Sequence, residues 1–376
     1  MLLDAMYVCS SPFQIMTAII LAKENGEKAD IYINGFFNQY EKYKEMLIAS
    51  GVFRGVFTVP YDVYVKYFNK NGRFAPRLQA LNNYLFPNRI AESFISKGCF
   101  YKKIYSANRD IICRYVQFYH FKHKVSSELI LFEEGNSVYT KNSVLQENPS
   151  EKILRKMLYG KKAVAPSKLF LYSPNLFVAL RKHSAFDVRS INVSDSTVES
   201  LKGIFDDIER IPCGSAIIID THKSAIFGKK EKREIEEMYN TIADKLNTII
   251  YLKRHPREPE DSFNIGKLID DNIPFELLCT EAFASTYILI SYISTALATP
   301  KLMFDKEPYI LLLYRLVKST VDVSTVDNYY HELKMLYTNP EKIFIPKTEE
   351  ELMRSICIIN SKLSKSGNNH ESEMNQ

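Results

Sequence analysis

Tryptophan is absent from this chain, and glycine, at 13 of 376 residues, is scarce. Few glycines and no self-similar period argue against a glycine-rich or repeat architecture. The six cysteines, Cys9, Cys99, Cys113, Cys213, Cys279 and Cys357, form no CxxC pair, and no His/Cys cluster has ligand spacing. Zinc is therefore not expected, and the thiols read as buried side chains of a reducing compartment. Neither GxGxxG nor GxxxxGK[ST] occurs, so the two common phosphate-cradling loops are missing. No Asp-x-Asp occurs either, which argues against a metal-bridged diphosphate donor. No apolar run is long enough to span a bilayer. The N-terminus "MLLDAMYVCSSPFQIMTAIILAKEN" carries Asp4 in place of a basic leader and is broken by "SSPFQ", so it reads as a strand and a helix rather than a signal segment. The net charge of +5 favours anionic ligands mildly and gives no reason to expect nucleic acid.

What is present is an alternation of strand-like and helix-like segments in a chain that is 46% hydrophobic and rich in Tyr and Phe (24 and 23). Strands are expected at 5–11, 29–35, 55–61, 102–107 and 127–135. Helices open at Pro12, cover 38–50, and include "IICRYVQFYHF". The pattern blurs over 136–210. It resumes with strands at 215–222, 247–256, 273–279, 287–295 and 308–314, a helix at 232–246 and a last helix at 348–363. This rhythm predicts an α/β protein of two Rossmann-like domains facing across a cleft (GT-B type). The domains are placed at 1–200 (acceptor side) and 201–363 (nucleotide-sugar donor), with a boundary near 190–212 and a frayed polar tail at 364–376. Ligands of such sheets lie outside the carboxyl ends of the strands, so the strand ends are where chemistry is sought.

Four strand ends are unusual. "FEEG" places Glu133 and Glu134 on opposite faces of the chain, before a glycine suited to a sharp turn. A carboxylate there can serve as a general base, although two acids in a turn are also commonplace. "KRHP" ends an apolar run with Lys253, Arg254 and His255, and Pro256 stops the strand. An imidazole among cations at a strand end suits an anion or a leaving-group oxygen, and a capped strand with solvated basic residues is the plainer reading. Ser294 and Thr295 in "SYISTAL" combine hydroxyls with a helix start, which serves phosphate binding and simple capping equally. Ser10 and Ser11 stand in the same position after the first strand. Asp220 and His222, after "AIII", read more readily as a polar turn. Two acid-free stretches, 63–90 and 152–186, carry five and eight basic residues among aromatics. They suit an anionic glycan, a membrane surface or single-stranded nucleic acid, or are merely solvated faces.

The order acid-acid-Gly, His-Pro, Ser/Thr pair, together with "CSSPFQ" in the opening strand, resembles bacterial sialyltransferases, and most of all glycosyltransferase family fifty-two, of lipooligosaccharide and capsule type. The resemblance covers residues 5–320. It implies an inverting, metal-independent sialyltransferase that moves sialic acid from CMP-sialic acid to a galactose-type hydroxyl of a bacterial surface glycan. No cofactor is implied beyond that donor substrate. Glu133 or Glu134 then matches the motif that supplies the base in related families, and Asp220 lies where family fifty-two members may take theirs. His255 matches the His-Pro histidine, with Arg254 and Pro256 beside it. Ser294 and Thr295 match the phosphate-binding hydroxyls, with Thr replacing a second Ser. A nucleotide-sugar donor and a glycan acceptor are the expected partners, with a homodimer among the family's assemblies. The expected location is cytoplasmic, peripheral at the inner face of the membrane through basic and aromatic surface.

Readings beside it are a polysialyltransferase, or a transferase of another CMP-activated acidic sugar. A different class is a non-catalytic binder of anionic glycan or RNA. "RHPREP" echoes the histidine phosphatases, but its glycine and arginine spacing fail.

Overall fold

The computed structural model describes residues 1–59, 82–83, 85–107, 110–135, 137–140, 152–153, 156–157, 166, 168–181, 186–205, 211–221, 228–256, 263–281, 284–318, 320 and 322–373. The basic, acid-free stretch 63–90 falls largely outside them, 152–186 in part, and His222 wholly. The chain divides into two compact units, Met1–Asp206 and Asp207–Gln376.

The first unit is built on seven strands: β1 (Leu2–Cys9), β2 (Ala29–Asn34), β3 (Gly55–Val59), β4 (Phe100–Ser106), β5 (Glu128–Phe132), β6 (Lys168–Leu171) and β7 (Asp187–Ser190). Their order is β3-β2-β1-β4-β5-β6-β7, and every pairing is parallel. β2 is buried throughout, as a strand covered on both faces should be. Its Asp30 is accommodated by the Tyr101 hydroxyl, which donates at 2.8 Å, and by an ion pair with Arg54. In the absence of Trp, tyrosines fill the largest interior spaces. Tyr7 and Tyr105 stack at 4.4 Å, and both donate to Glu27.

The second unit has β8 (Ala216–Ile219), β9 (Ile250–Lys253), β10 (Lys267–Leu268), β11 (Ile288–Ser291), β12 (Tyr309–Leu312) and β13 (Ile343–Phe344). Their order is β10-β9-β8-β11-β12-β13, again all parallel. β8, "AIII", and β11, "ILIS", are fully buried, which accounts for their unbroken apolar runs. In each unit the strand order reverses direction once, between β1 and β4 and between β8 and β11. These reversals are the places where open α/β sheets part their crossover helices and leave a crevice. The α/β class and the pair of parallel sheets are as expected from sequence.

Some elements differ. "IPFELLC", expected as a strand, is a short helix over Phe275–Leu278, because Pro274 sits at its N-cap and supplies no ladder donor. β6, β7, β10 and β13 went unpredicted. β7, "DVRS", is an exposed edge strand with no hydrophobic run to betray it. The last helix covers Glu349–Glu373, so backbone helix continues where a frayed tail was expected. Of the cysteines, Cys9, Cys113 and Cys279 are buried, Cys99 is intermediate, and Cys213 and Cys357 are exposed, which corrects the expectation of buried thiols throughout.

Candidate active site

In the first unit the chain leaves β1 at Ser10 and turns at once into the helix Pro12–Glu24. Ser11 caps that helix by accepting the Gln14 N–H at 3.3 Å, with Pro12 at its first position. Ser10 is held from both sides. Its N–H donates to Gln14 Oε1 at 2.6 Å, and its Oγ accepts from Asn34 Nδ2 at 2.8 Å. Both serines are therefore engaged in shaping the rim next to the β1–β4 reversal.

Glu133 and Glu134 follow β5 directly, and the structure separates them. Glu133 is 2% exposed. One carboxylate oxygen accepts two bonds, from the Tyr139 hydroxyl at 2.6 Å and from the Tyr172 N–H at 2.8 Å, which ties the end of β5 to the turn after β6. Burial pushes its acidity constant up to about 7, against the pull of those two donors. Glu134 points the other way, is partly exposed, and accepts from the Ser137 hydroxyl. Gly135 follows with φ of 116°, a conformation that favours glycine and turns the chain sharply after the acid pair.

In the second unit the ends of β8, β9 and β11 lie side by side on one sheet edge. The Asp220 N–H donates to the Lys253 carbonyl at 3.0 Å, and Asp220 Oδ1 accepts the Thr221 N–H at 2.7 Å. Asp220 is 6% exposed, and its carboxylate folds onto its own turn. Thr221 reaches β11: its Oγ1 lies 3.2 Å from Ser291 Oγ and donates to the Ile293 carbonyl at 3.0 Å.

The cations that end β9 are divided among different tasks. Lys253 is buried and donates to the Asp270 carbonyl at 2.7 Å. Burial lowers its ammonium to about 8, with Asp271, Glu276 and Asp270 acting against that shift. Burial also lifts the Glu276 carboxyl to about 6. Arg254 forms a fork with Asp271, donating from Nε at 3.1 Å and pairing through Nη2. Two of the three cations thus bind the 270–271 turn. His255 is partly exposed on the rim, and Pro256 follows in an exposed turn.

Ser294 caps the short 3-10 helix Thr295–Ala298 by accepting the Ala296 N–H at 3.4 Å. Its carbonyl accepts the Tyr330 hydroxyl at 2.8 Å, and Thr295 is exposed beside it. The capping role and hydroxyls directed at an anion are compatible here, because the helix start leaves backbone N–H groups at the same rim.

Sequence reading found the strand-end residues and missed those that hold them: Tyr139 and Tyr172 around Glu133, Asp271 on Arg254, and Tyr330 on Ser294. Tyr172, Asp271 and Tyr330 reach their partners from 17 to 39 residues away, whereas Tyr139 lies six residues from Glu133 and was overlooked.

Two parallel α/β units, with a carboxylate pair closing one sheet and an imidazole and hydroxyls closing the other, have the layout of the GT-B fold class. The model of the family described as "Alpha-2,8-polysialyltransferase (POLYST)" matches residues 5–312, which include all these strand ends, and the chain belongs to that family. The family is one of sialyltransferases, and the match does not extend to the more specific family fifty-two assignment. A comparison with curated protein sequences gives no match. Among solved structures, the UDP-GlcNAc 2-epimerase from Methanocaldococcus jannaschii is similar at a TM-score of 0.50 and 12% identity, covering 96% of this chain and 93% of that one. The likeness concerns the fold alone. The spinosyn rhamnosyltransferase SpnG is similar at a TM-score of 0.40 and 9% identity, covering 96% of each chain. Among the described residues, no helix is long and apolar enough to cross a membrane.

Proposed function

We propose that this glycosyltransferase moves sialic acid from CMP-sialic acid to a sugar hydroxyl, with inversion and without a metal, and that it extends a sialic acid chain. The observation that carries the reading is the acid pair closing β5 and the His-Pro closing β9, both inside the family match over residues 5–312. The family's description favours chain extension over a galactose-type acceptor on lipooligosaccharide or capsule of the family fifty-two kind.

Glu134 is the base in this scheme. Reach comes before acidity: Glu134, which accepts from the Ser137 hydroxyl, is the partly exposed member of the pair, whereas Glu133 and Asp220 are buried. The acceptor O–H gives its proton to Glu134 while its oxygen bonds to the anomeric carbon. The bond from that carbon to the CMP phosphate oxygen breaks through an oxocarbenium-like state. His255 protonates or hydrogen-bonds the departing phosphate. Ser294, Thr295 and the amide groups of the following turn hold its oxygens. Ser10 and Ser11 are assigned to the acceptor-side rim, and Pro256 fixes the turn that carries His255. The protein is assigned to the cytoplasm, at the inner membrane face where surface glycans are built. A homodimer is kept as an assembly to be measured by sedimentation.

The test is CMP-sialic acid turnover with an α2,8-linked sialic acid oligomer, with lactose, and with EDTA. The reading expects oligomer-dependent transfer that survives EDTA. It expects His255→Ala and Glu134→Gln each to lower kcat by a factor on the order of 10² or more. Transfer to lactose alone would return the acceptor to a galactose type. Salt-sensitive RNA binding without turnover would make the chain a binder.

A further inference from the structure

A concavity lies wholly within the Asp207–Gln376 unit, beyond the carboxyl end of β12. It is a cavity of about 380 Å³ lined by Tyr314, Arg315, Leu316, Val317, Lys318, Val323 and Lys347. Three of these residues are cationic, and none is acidic. Lys318 and Lys347 are exposed, so their ammonium groups stand at the mouth at little desolvation cost. Arg315 is oriented by Asp327, donating from Nε at 2.9 Å and pairing through Nη2, and the Tyr314 hydroxyl donates to the same carboxylate. That clamp uses two of the five guanidinium donors. Tyr314, Leu316, Val317 and Val323 supply an apolar wall. A wall of C–H groups beside fixed positive charge matches a sugar ring that carries a carboxylate, and the volume falls in the range of small-ligand sites.

The cavity is tied to the Ser294 turn at two points. The Tyr292 hydroxyl donates to the Lys318 carbonyl at 3.1 Å and lies 3.4 Å from that of Val317. The Tyr330 hydroxyl donates to the Ser294 carbonyl at 2.8 Å, and its ring stacks on Tyr314 with centroids 6.4 Å apart. The cavity floor and the proposed phosphate rim are therefore parts of one tyrosine-braced assembly.

We infer that this cavity binds a carboxylate-bearing sugar unit of a substrate, and so contributes to recognition of sialyl groups. The inference rests on the sialyl-transfer reading. That sugar unit belongs either to the donor or to the growing chain, and the two are separable by experiment.

The experiment compares the full-length protein with the double variant Lys318→Gln/Lys347→Gln. A control, Lys229→Gln/Lys230→Gln, removes the same charge from exposed positions on a helix of the same unit. Calorimetry is run with CMP, with CMP-sialic acid, with an α2,8-linked sialic acid tetramer, and with that tetramer after its carboxyls are reduced to alcohols. Loss of two charge-assisted contacts is expected to weaken a sialyl ligand about tenfold or more. CMP and the reduced tetramer should change by less than about twofold, and the control should match wild type. Weakening confined to CMP-sialic acid assigns the cavity to the donor sugar, and weakening of the tetramer assigns it to the chain; either supports the inference. If the double variant binds CMP-sialic acid and the tetramer as wild type does while wild type turns over, the inference is overturned and the sialyl-transfer reading stands. If wild type neither binds nor turns over CMP-sialic acid, that reading fails and takes the inference with it.

Discussion

Glu133 and His120 show how single buried groups set opposite limits on one unit. Glu133 has its acidity constant lifted to about 7 by burial, so the folded state holds a proton that the unfolded chain releases near the ordinary carboxylate value of 4.5. Its effect on stability is therefore neutral at low pH and becomes a cost as pH rises from about 4.5 to 7. His120 is 0% exposed on the helix Ile111–Lys122, packed among Phe100, Tyr101 and Tyr119, and among the described residues neither ring nitrogen has a hydrogen-bond partner. Burial, and then the neighbouring His123, lowers it to about 4 from 6.5. Its folded state therefore holds fewer protons than the unfolded chain, and stability is lost as pH falls from about 6.5 towards 4. Each shift amounts to about 3 kcal/mol at most across its window. Glu133→Gln keeps an acceptor oxygen for Tyr139 and Tyr172, and should flatten the alkaline limb of the Tm–pH curve. His120→Leu should flatten the acid limb. Limbs that stay unchanged in these variants would show that neither group governs them.

At the scale of elements, β9 shows what a strand end does with three cations. The run "TIIYLKRHP" made the strand and its stop legible, because an apolar stretch ends in Pro256. The use of the charges was not legible. Asp270 and Asp271 lie after β10, and their proximity follows from β9 and β10 pairing in parallel. The same blindness covers β5: the acid pair and its opposite-facing geometry were legible, but which acid is buried depends on Tyr139, in the short helix Ser137–Thr140, and on Tyr172, in the turn after β6. The Arg254 fork with Asp271 makes that arginine chiefly a fastener of the rim. Arg254→Ala should accordingly lower stability by about 1–3 kcal/mol, the worth of hydrogen bonds to a charged group. The KM for CMP-sialic acid should rise by no more than about threefold, since a lost direct phosphate contact would cost tenfold or more. A large KM effect with unchanged Tm would instead restore Arg254 as a direct phosphate ligand.

At the scale of the whole molecule, repetition made the fold readable. Alternating strands and helices predicted two parallel sheets. The chain divides between Asp206 and Asp207, and the stretch from 136 to 210 defeated the pattern because β6 and β7 are short and β7 is exposed. Strand order could not be read, since parallel pairing is settled by long-range packing rather than local sequence. Yet the order decides which loops meet: the reversal between β8 and β11 brings Asp220 and Thr221 beside Ser291 and Ile293, while β9 flanks β8 on its other side. The proposed function puts the nucleotide at these ends of one unit, and hydrogen exchange on the full chain can test it. Saturating CMP should slow amide exchange at 220–221, 253–256 and 291–298, and leave 10–15 and 133–135 unchanged. Protection confined to the ends of β1 and β5 would move the nucleotide to the first unit. His255 would then lose its role at the leaving phosphate, because Ser294 and the end of β9 would no longer share a ligand.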